Sequence, residues 1–246
     1  MRGAQLRAGA PTCRTQSRPG GLRPAEPEFR GLAANLLATQ EEERRRVSRE
    51  LHDELGQRLA LLEIQIEEMV RRLGADSPVI CELEALRSRV AGIAEDVHRI
   101  CCRLHPAILE NLGLIVAVRS YCEEYSAWSG IKTRFSHCGV PARLPPPVAL
   151  CLYRVVQEGL RNAAKHSRSK RALVVLRGSE EGVHLIVKDS GQGFVLSEAS
   201  KKGGLGLISL CERVRLSGGI CNIHSAPERG TRIQAWVPLT MQVRAS

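Results

Sequence analysis

Arg49-Glu50-Leu51-His52-Asp53-Glu54-Leu55-Gly56-Gln57 sits inside a longer run in which Val47, Leu51, Leu55, Leu59, Leu62, Ile66, Met69 and Leu73 recur three and four residues apart. That spacing predicts an amphipathic helix with a coiled-coil-like seam. Thr39, with Glu42 three residues on, reads as a capping box that opens it. Gly74 can close it in a left-handed cap, and Ser77-Pro78 offers a cap and a first-turn proline to the next helix. That second helix carries Ile80, Leu83, Leu86, Val90, Ile93, Val97, Ile100 and Leu104 and ends at Pro106. Two antiparallel helices cannot cover both seams by themselves. A second copy would complete a four-helix bundle, so burial predicts a homodimer.

His52 follows a seam residue, so its ring should project from the flank of the bundle, within reach of solvent. Asp53 and Gln57, four apart, share a face. A carboxylate beside an imidazole can orient the ring and take its proton, which leaves a ring nitrogen nucleophilic. Alone, His-Asp is also an ordinary surface pair. The second half of the chain decides between these readings.

The chain has 246 residues, a formal charge of +10, 43% hydrophobic and 3% aromatic residues. The charge suits an anionic partner. The runs Glu41-Glu42-Glu43 and Arg44-Arg45-Arg46, however, read as a solvated helix face with i,i+4 ion pairs. No basic stripe is interleaved with aromatics, which argues against direct nucleic-acid binding. No stretch is long and apolar enough to span a bilayer. Nine cysteines without a CxxC pair read as reduced thiols, so a cytoplasmic protein is expected. Residues 1–38 are expected to be disordered or an atypical leader, 39–106 the helical hairpin, 107–111 a hinge, 112–240 a second domain and 241–246 a tail.

That second domain reads as helix 112–128, strand 131–136, helix 148–166 after Pro145-Pro146-Pro147, strands 172–176 and 183–188, helix 205–216, and strands 220–224 and 231–237. Helices gathered with a mostly antiparallel sheet make an α/β sandwich, and the chain as a whole is of the α+β class. Three clusters lie on it. In Gln157-Glu158-Gly159-Leu160-Arg161-Asn162-Ala163-Ala164-Lys165-His166, Glu158 and Asn162 share a face, and such hard oxygen donors suit Mg²⁺. Lys165 and His166 follow within reach of the same phosphates. Asp189-Ser190-Gly191-Gln192-Gly193-Phe194 puts a carboxylate at a strand end, able to accept from an exocyclic amine, with glycines that let backbone approach a flat base. Lys202-Gly203-Gly204-Leu205-Gly206-Leu207 opens a helix with free N–H groups, an anion site. It is neither a Walker pattern nor a Rossmann turn. A polar helix face and a simple turn are the plainer readings of the first two clusters.

In this order, with Gly230-Thr231 before the last strand, the clusters resemble the N, G1 and G2 boxes of the GHKL ATPase superfamily. Glu50 to Gln57 resembles the phosphoacceptor box of sensor histidine kinases of two-component systems, in the HisKA_3 group of nitrate-sensor and desaturase-regulator kinases. The resemblance covers roughly residues 40–240 and implies an ATP-dependent protein-histidine kinase. It implies His52 as the phosphorylated residue, Asp53 as its base, and Gln57 as an element that dephosphorylates the partner. It further implies Mg²⁺ on Asn162 with Glu158 assisting, the adenine amine on Asp189, and a nucleotide pocket shaped by Gly191, Gly193, Gly204, Leu205 and Gly206 near Thr231. Residues 195–202 would form a short lid offering Lys201 and Lys202. The phosphoryl group would pass to an aspartate of a response-regulator receiver domain. A phosphatase-only protein and a silent ATP-binding scaffold are the alternatives. Residues 1–38, too short for a sensor domain, leave the signal to a soluble partner or to a longer ancestor. His98, Cys101, Cys102 and His105 recur on one helical face and could hold a metal or sense redox state, or simply pack the helix end.

Overall fold

The computed structural model describes residues 27–73, 78–195 and 205–240. Helix α1, Pro27–Glu50, runs through a π-helical turn, Leu51–Gly56, directly into α2, Gln57–Leu73. Its start is upstream of the expected capping box. Ala33, Ala34, Leu36, Leu37 and Ala38 favour helix, so Thr39 lies inside α1 and residues 27–38 are helical rather than disordered. The rest of the expected leader, the Gly74 and Ser77 caps and the 241–246 tail lie outside the described residues.

Helix α3, Ile80–Leu104, packs back along α1 and α2. Ser48 Oγ donates to the Cys101 carbonyl at 3.0 Å, which fixes the antiparallel register. Ile66 and Val90 are buried, yet Leu62, Ile64, Met69, Leu86, Ile93 and Ile100 remain exposed. The hairpin therefore presents an open apolar strip.

Residues 107–111, the expected hinge, are helical. They open α4, Ala107–Ser129, whose axis is bent 79° from that of α3 across His105-Pro106. Leu109 is buried and its N–H donates to Pro106 O at 2.8 Å, so this piece is pinned to the core. A second break lies at Gly113, with φ 82° and ψ 176°, a backbone geometry that only glycine takes freely. No single described helix is long and apolar enough to cross a membrane.

The remainder is a two-layer sandwich. Strands β1 Lys132–Cys138, β2 Arg171–Gly178, β3 Gly182–Asp189, β4 Ile220–Ser225 and β5 Thr231–Pro238 form one sheet in the order β1-β2-β3-β5-β4. Only β1 and β2 pair in parallel. Alternate residues Ala172, Val174 and Leu176, Val183, Leu185 and Val187, and Ile233, Ala235 and Val237 are buried. Period-two alternation of this kind leaves one face for the core. Helices α4, α5 Pro146–Asn162 and α6 Leu205–Leu216 cover it, filling it with Val118, Leu152, Val156, Leu160 and Val214. Each such side chain contributes about 1.5–3 kcal/mol by burial.

Substituting both Leu62 and Ile93 by Glu places charge on the open strip without touching the sandwich core. Sedimentation equilibrium should show the unsubstituted chain as a dimer and the double variant as a monomer.

Candidate active site

A cavity of about 570 Å³ opens between α5, the sheet and the start of α6. Glu158, Asn162, Lys165, His166, Asp189, Gly193, Gly206 and Thr231 all line it, gathering the three clusters that lie far apart in sequence. Gly204 and the lid lysines Lys201 and Lys202 fall outside the described residues, as does the side chain of Leu205.

Asp189 ends β3 on the inward face begun by Val183, Leu185 and Val187, which is why a carboxylate there is only 7% exposed. Its Oδ1 accepts from the Gly191 N–H at 2.8 Å. Burial raises its carboxyl above the ordinary range, and the Gly191 amide and Thr231 oppose that rise. Gly191 is not on the cavity wall. It packs against Ser167, where a Cβ would collide with the Ser167 carbonyl, so its role is to bring its amide to Asp189. The Gln192 N–H donates to Ser167 O at 2.8 Å, and the Phe194 N–H to Ser225 Oγ at 3.0 Å. The glycine turn is thus anchored at both ends.

Across the cavity, α5 passes into a second π turn, Ala163–Ser167, which carries Lys165 and His166. The cause is Tyr125. Its buried hydroxyl donates to Leu160 O at 2.8 Å, and the Ala164 amide is directed at that hydroxyl oxygen instead of at Leu160 O. A side chain inserted in the i→i−4 ladder widens a helix at that point. Burial pushes the phenol up to about 12, so it stays a donor. Asn162, the last residue of α5, lines the cavity. Glu158 also lines it, but its carboxylate is held by Arg161 through bonds of 2.7 and 2.9 Å. As an Mg²⁺ ligand Glu158 would first have to leave that partner.

His52 lies elsewhere, on the π turn of the helical rod. It is 70% exposed, with Asp53 at 69% and Nδ1 3.3 Å from Asp53 Oδ1. Gln57 is exposed at the start of α2. None of the three lines the cavity.

The sequence reading missed the contact that joins the two halves. Glu41, expected on a solvated face, instead accepts from Arg154 at 2.7 and 3.0 Å and from Arg213 at 3.0 Å. Arg154 also donates to Arg103 O and Leu104 O, the last carbonyls of α3. Its only sequence signal was an arginine among the apolar residues Leu152, Tyr153, Val155 and Val156. The His98–Cys102 pair is close, Nε2 to Sγ 3.5 Å, but His105 turns to Glu110 at 3.3 Å. Among the described residues no three such side chains gather to hold a metal ion.

Residues 43–109 match the histidine kinase family model HisKA_3. Residues 148–241 match the family of histidine kinase-, DNA gyrase B- and HSP90-like ATPases. A signal transduction histidine-protein kinase/phosphatase DegS of Brevibacillus brevis is 33% identical over 218 residues, 87% of this chain and 56% of that protein. Its namesake in Bacillus subtilis is 37% identical over 214 residues, 84% of this chain and 55% of the relative. The oxygen sensor histidine kinase NreB of Staphylococcus carnosus is 32% identical over 211 residues, 86% of this chain and 60% of the relative. The chain therefore spans little more than half the length of these relatives.

Tyr125→Phe should cost about 1–3 kcal/mol in urea unfolding, because Leu160 O loses its buried donor, and should weaken nucleotide binding in calorimetry. For Asp189, a folded-state pKa above the unfolded one gives stability that is present at low pH and lost as pH rises through the folded value. At neutral pH the ionised group is therefore a cost to the empty protein. Asp189→Asn should melt at the same temperature or higher without nucleotide at neutral pH. The gain should shrink in acid, and ATP affinity should fall by about tenfold or more.

Proposed function

The chain belongs to the histidine kinases, joining their phosphoacceptor domain to their ATP-binding domain, and on that premise we propose that it autophosphorylates His52 and passes the phosphoryl group to an aspartate of a response-regulator receiver domain. The observation that carries this reading is the exposed His52 imidazole with Asp53 at its Nδ1, in the same chain as a cavity floored by a buried carboxylate. With a proton on Nδ1 shared toward Asp53, the Nε2 lone pair is free. Nε2 attacks the γ-phosphorus of ATP in line, the bond to the bridging oxygen breaks, and ADP leaves with that electron pair. Asp53 then takes the Nδ1 proton from the imidazolium.

In the proposed pose Asp189 accepts from the adenine amine beside Thr231, with Gly193 and the Gly191 amide shaping the turn. Lys165 and His166 approach the phosphates, and the backbone from Gly204 through Leu205 to Gly206 offers N–H groups to them. Mg²⁺ held by the Asn162 oxygen, and by Glu158 once its pair with Arg161 opens, would neutralise phosphate oxygens.

His52 does not border the cavity, so in this reading the ATPase domain shifts against the hairpin during phosphotransfer, bending at His105-Pro106 and Gly113. A homodimer closing the open apolar strip fits the same reading, as does a cytoplasmic setting, where ATP is available. Gln57, four residues after Asp53 in the sequence, supports a second activity, dephosphorylation of the partner regulator, and two of the relatives are named kinase/phosphatase.

Incubation with γ-labelled ATP should give an acid-labile, alkali-stable label that His52→Gln loses. A label that persists in that variant would overturn the proposal. If neither protein labels, yet purified phospho-regulator is dephosphorylated, the phosphatase reading takes its place.

A further inference from the structure

Beside the nucleotide cavity, and sharing Glu158, Arg161 and Gly206 with it, lies a second cavity of about 500 Å³. Both halves of the chain wall it. Arg44 of α1 and Arg103 near the end of α3 come from the hairpin, and Arg154, Arg161 and Arg213 come from the sandwich. Against these five guanidiniums stand Glu158 in the wall and Glu41 behind it, an excess of three positive charges.

The carboxylates are already engaged. Glu158 is taken by Arg161, and Glu41 by Arg154 and Arg213. Arg44 reaches Glu41 only at 3.8 Å. Arg103 has no acidic partner among the described residues, and its guanidinium lies over the Trp128 ring at 5.3 Å. Burial chiefly, then Arg154 and Arg213, lower the proton affinity of Arg44, with Glu41 and Glu158 opposing.

We propose that this arginine-lined cleft binds a phosphate-type polyanion of about pyrophosphate size. Planar guanidinium forks match phosphate oxygens two at a time, and they do so most strongly where water is partly excluded. A trianion would meet the uncompensated charge. Bridging Arg44 and Arg103 of the hairpin to Arg213 of the sandwich, it would also hold the two halves together. The anion has two sources: free inorganic pyrophosphate, or the polyphosphate tail of a nucleotide whose base sits in the adjoining cavity. The inference stands apart from phosphotransfer, since no step of it uses His52.

Calorimetric titration of the full chain with pyrophosphate, at fixed ionic strength, tests it. Saturable binding is expected, weakened tenfold or more in Arg44→Gln/Arg103→Gln and largely kept in Arg44→Lys/Arg103→Lys. His52→Gln should bind as the unsubstituted chain does, so failure of the kinase reading would leave this result untouched. If saturating ATP displaces pyrophosphate and adenosine does not, the site takes the nucleotide tail. If neither displaces it, the site takes the free anion. No saturable binding, or equal affinity in the double Gln variant, overturns the proposal.

Discussion

A guanidinium 5% exposed can persist only if nearly every proton on it meets an acceptor, and Arg154 meets that condition by recruiting three elements at once. It takes the carboxylate of Glu41 from α1, the last carbonyls of α3 and the amide of Gln157 one turn along its own helix. Those carbonyls are among the groups a helix end leaves unpaired, and a cation there also meets the negative end of the helix dipole. Losing one partner of such a pair costs about 3–5 kcal/mol, because the other charge stays buried. The angle between hairpin and sandwich, and the cleft between them, follow from this contact. The remaining ion pairs of the hairpin, such as Arg46 with Glu43 and Glu50, are solvated and set no geometry.

Separation of the two sites is the other organising constraint. His52 stands on an exposed rod and the cavity lies in the sandwich, so the proposed transfer between them depends on movement of one half against the other. The cavity is built around a buried carboxylate whose pKa burial raises, the kind of perturbation that gathers at functional sites.

Period made much of this legible. The inward alternation of β2, β3 and β5 and the span of α6 follow from hydrophobic spacing alone, the cavity residues Asn162 and Asp189 were visible as polar positions at a helix and a strand end, and Thr231 came only from the family resemblance. What escaped the sequence depends on partners distant along the chain. Glu41 reads as one of three equivalent glutamates until Arg154, over a hundred residues away, selects it. Residues 107–111, read as a linker, are helical because Leu109 finds a place in the core, and α5 widens because Tyr125 reaches it from another helix. Glu158 looked like a free metal ligand because the bidentate grip of Arg161 is a choice of rotamer, not of sequence.

The π turn at Leu51–Gly56 can be regarded as a dislocation in an otherwise regular rod. It holds one residue more than the α repeat needs, so the faces on either side are offset by about 100°, the turn of a single residue. A dislocation moves by exchanging one bond for its neighbour, never by breaking the whole lattice. Gliding along α1 and α2 in this way, the surplus residue would swing the His52 imidazole around the rod while both ends kept their contacts. Aim and anchorage are thereby separable in one continuous helix.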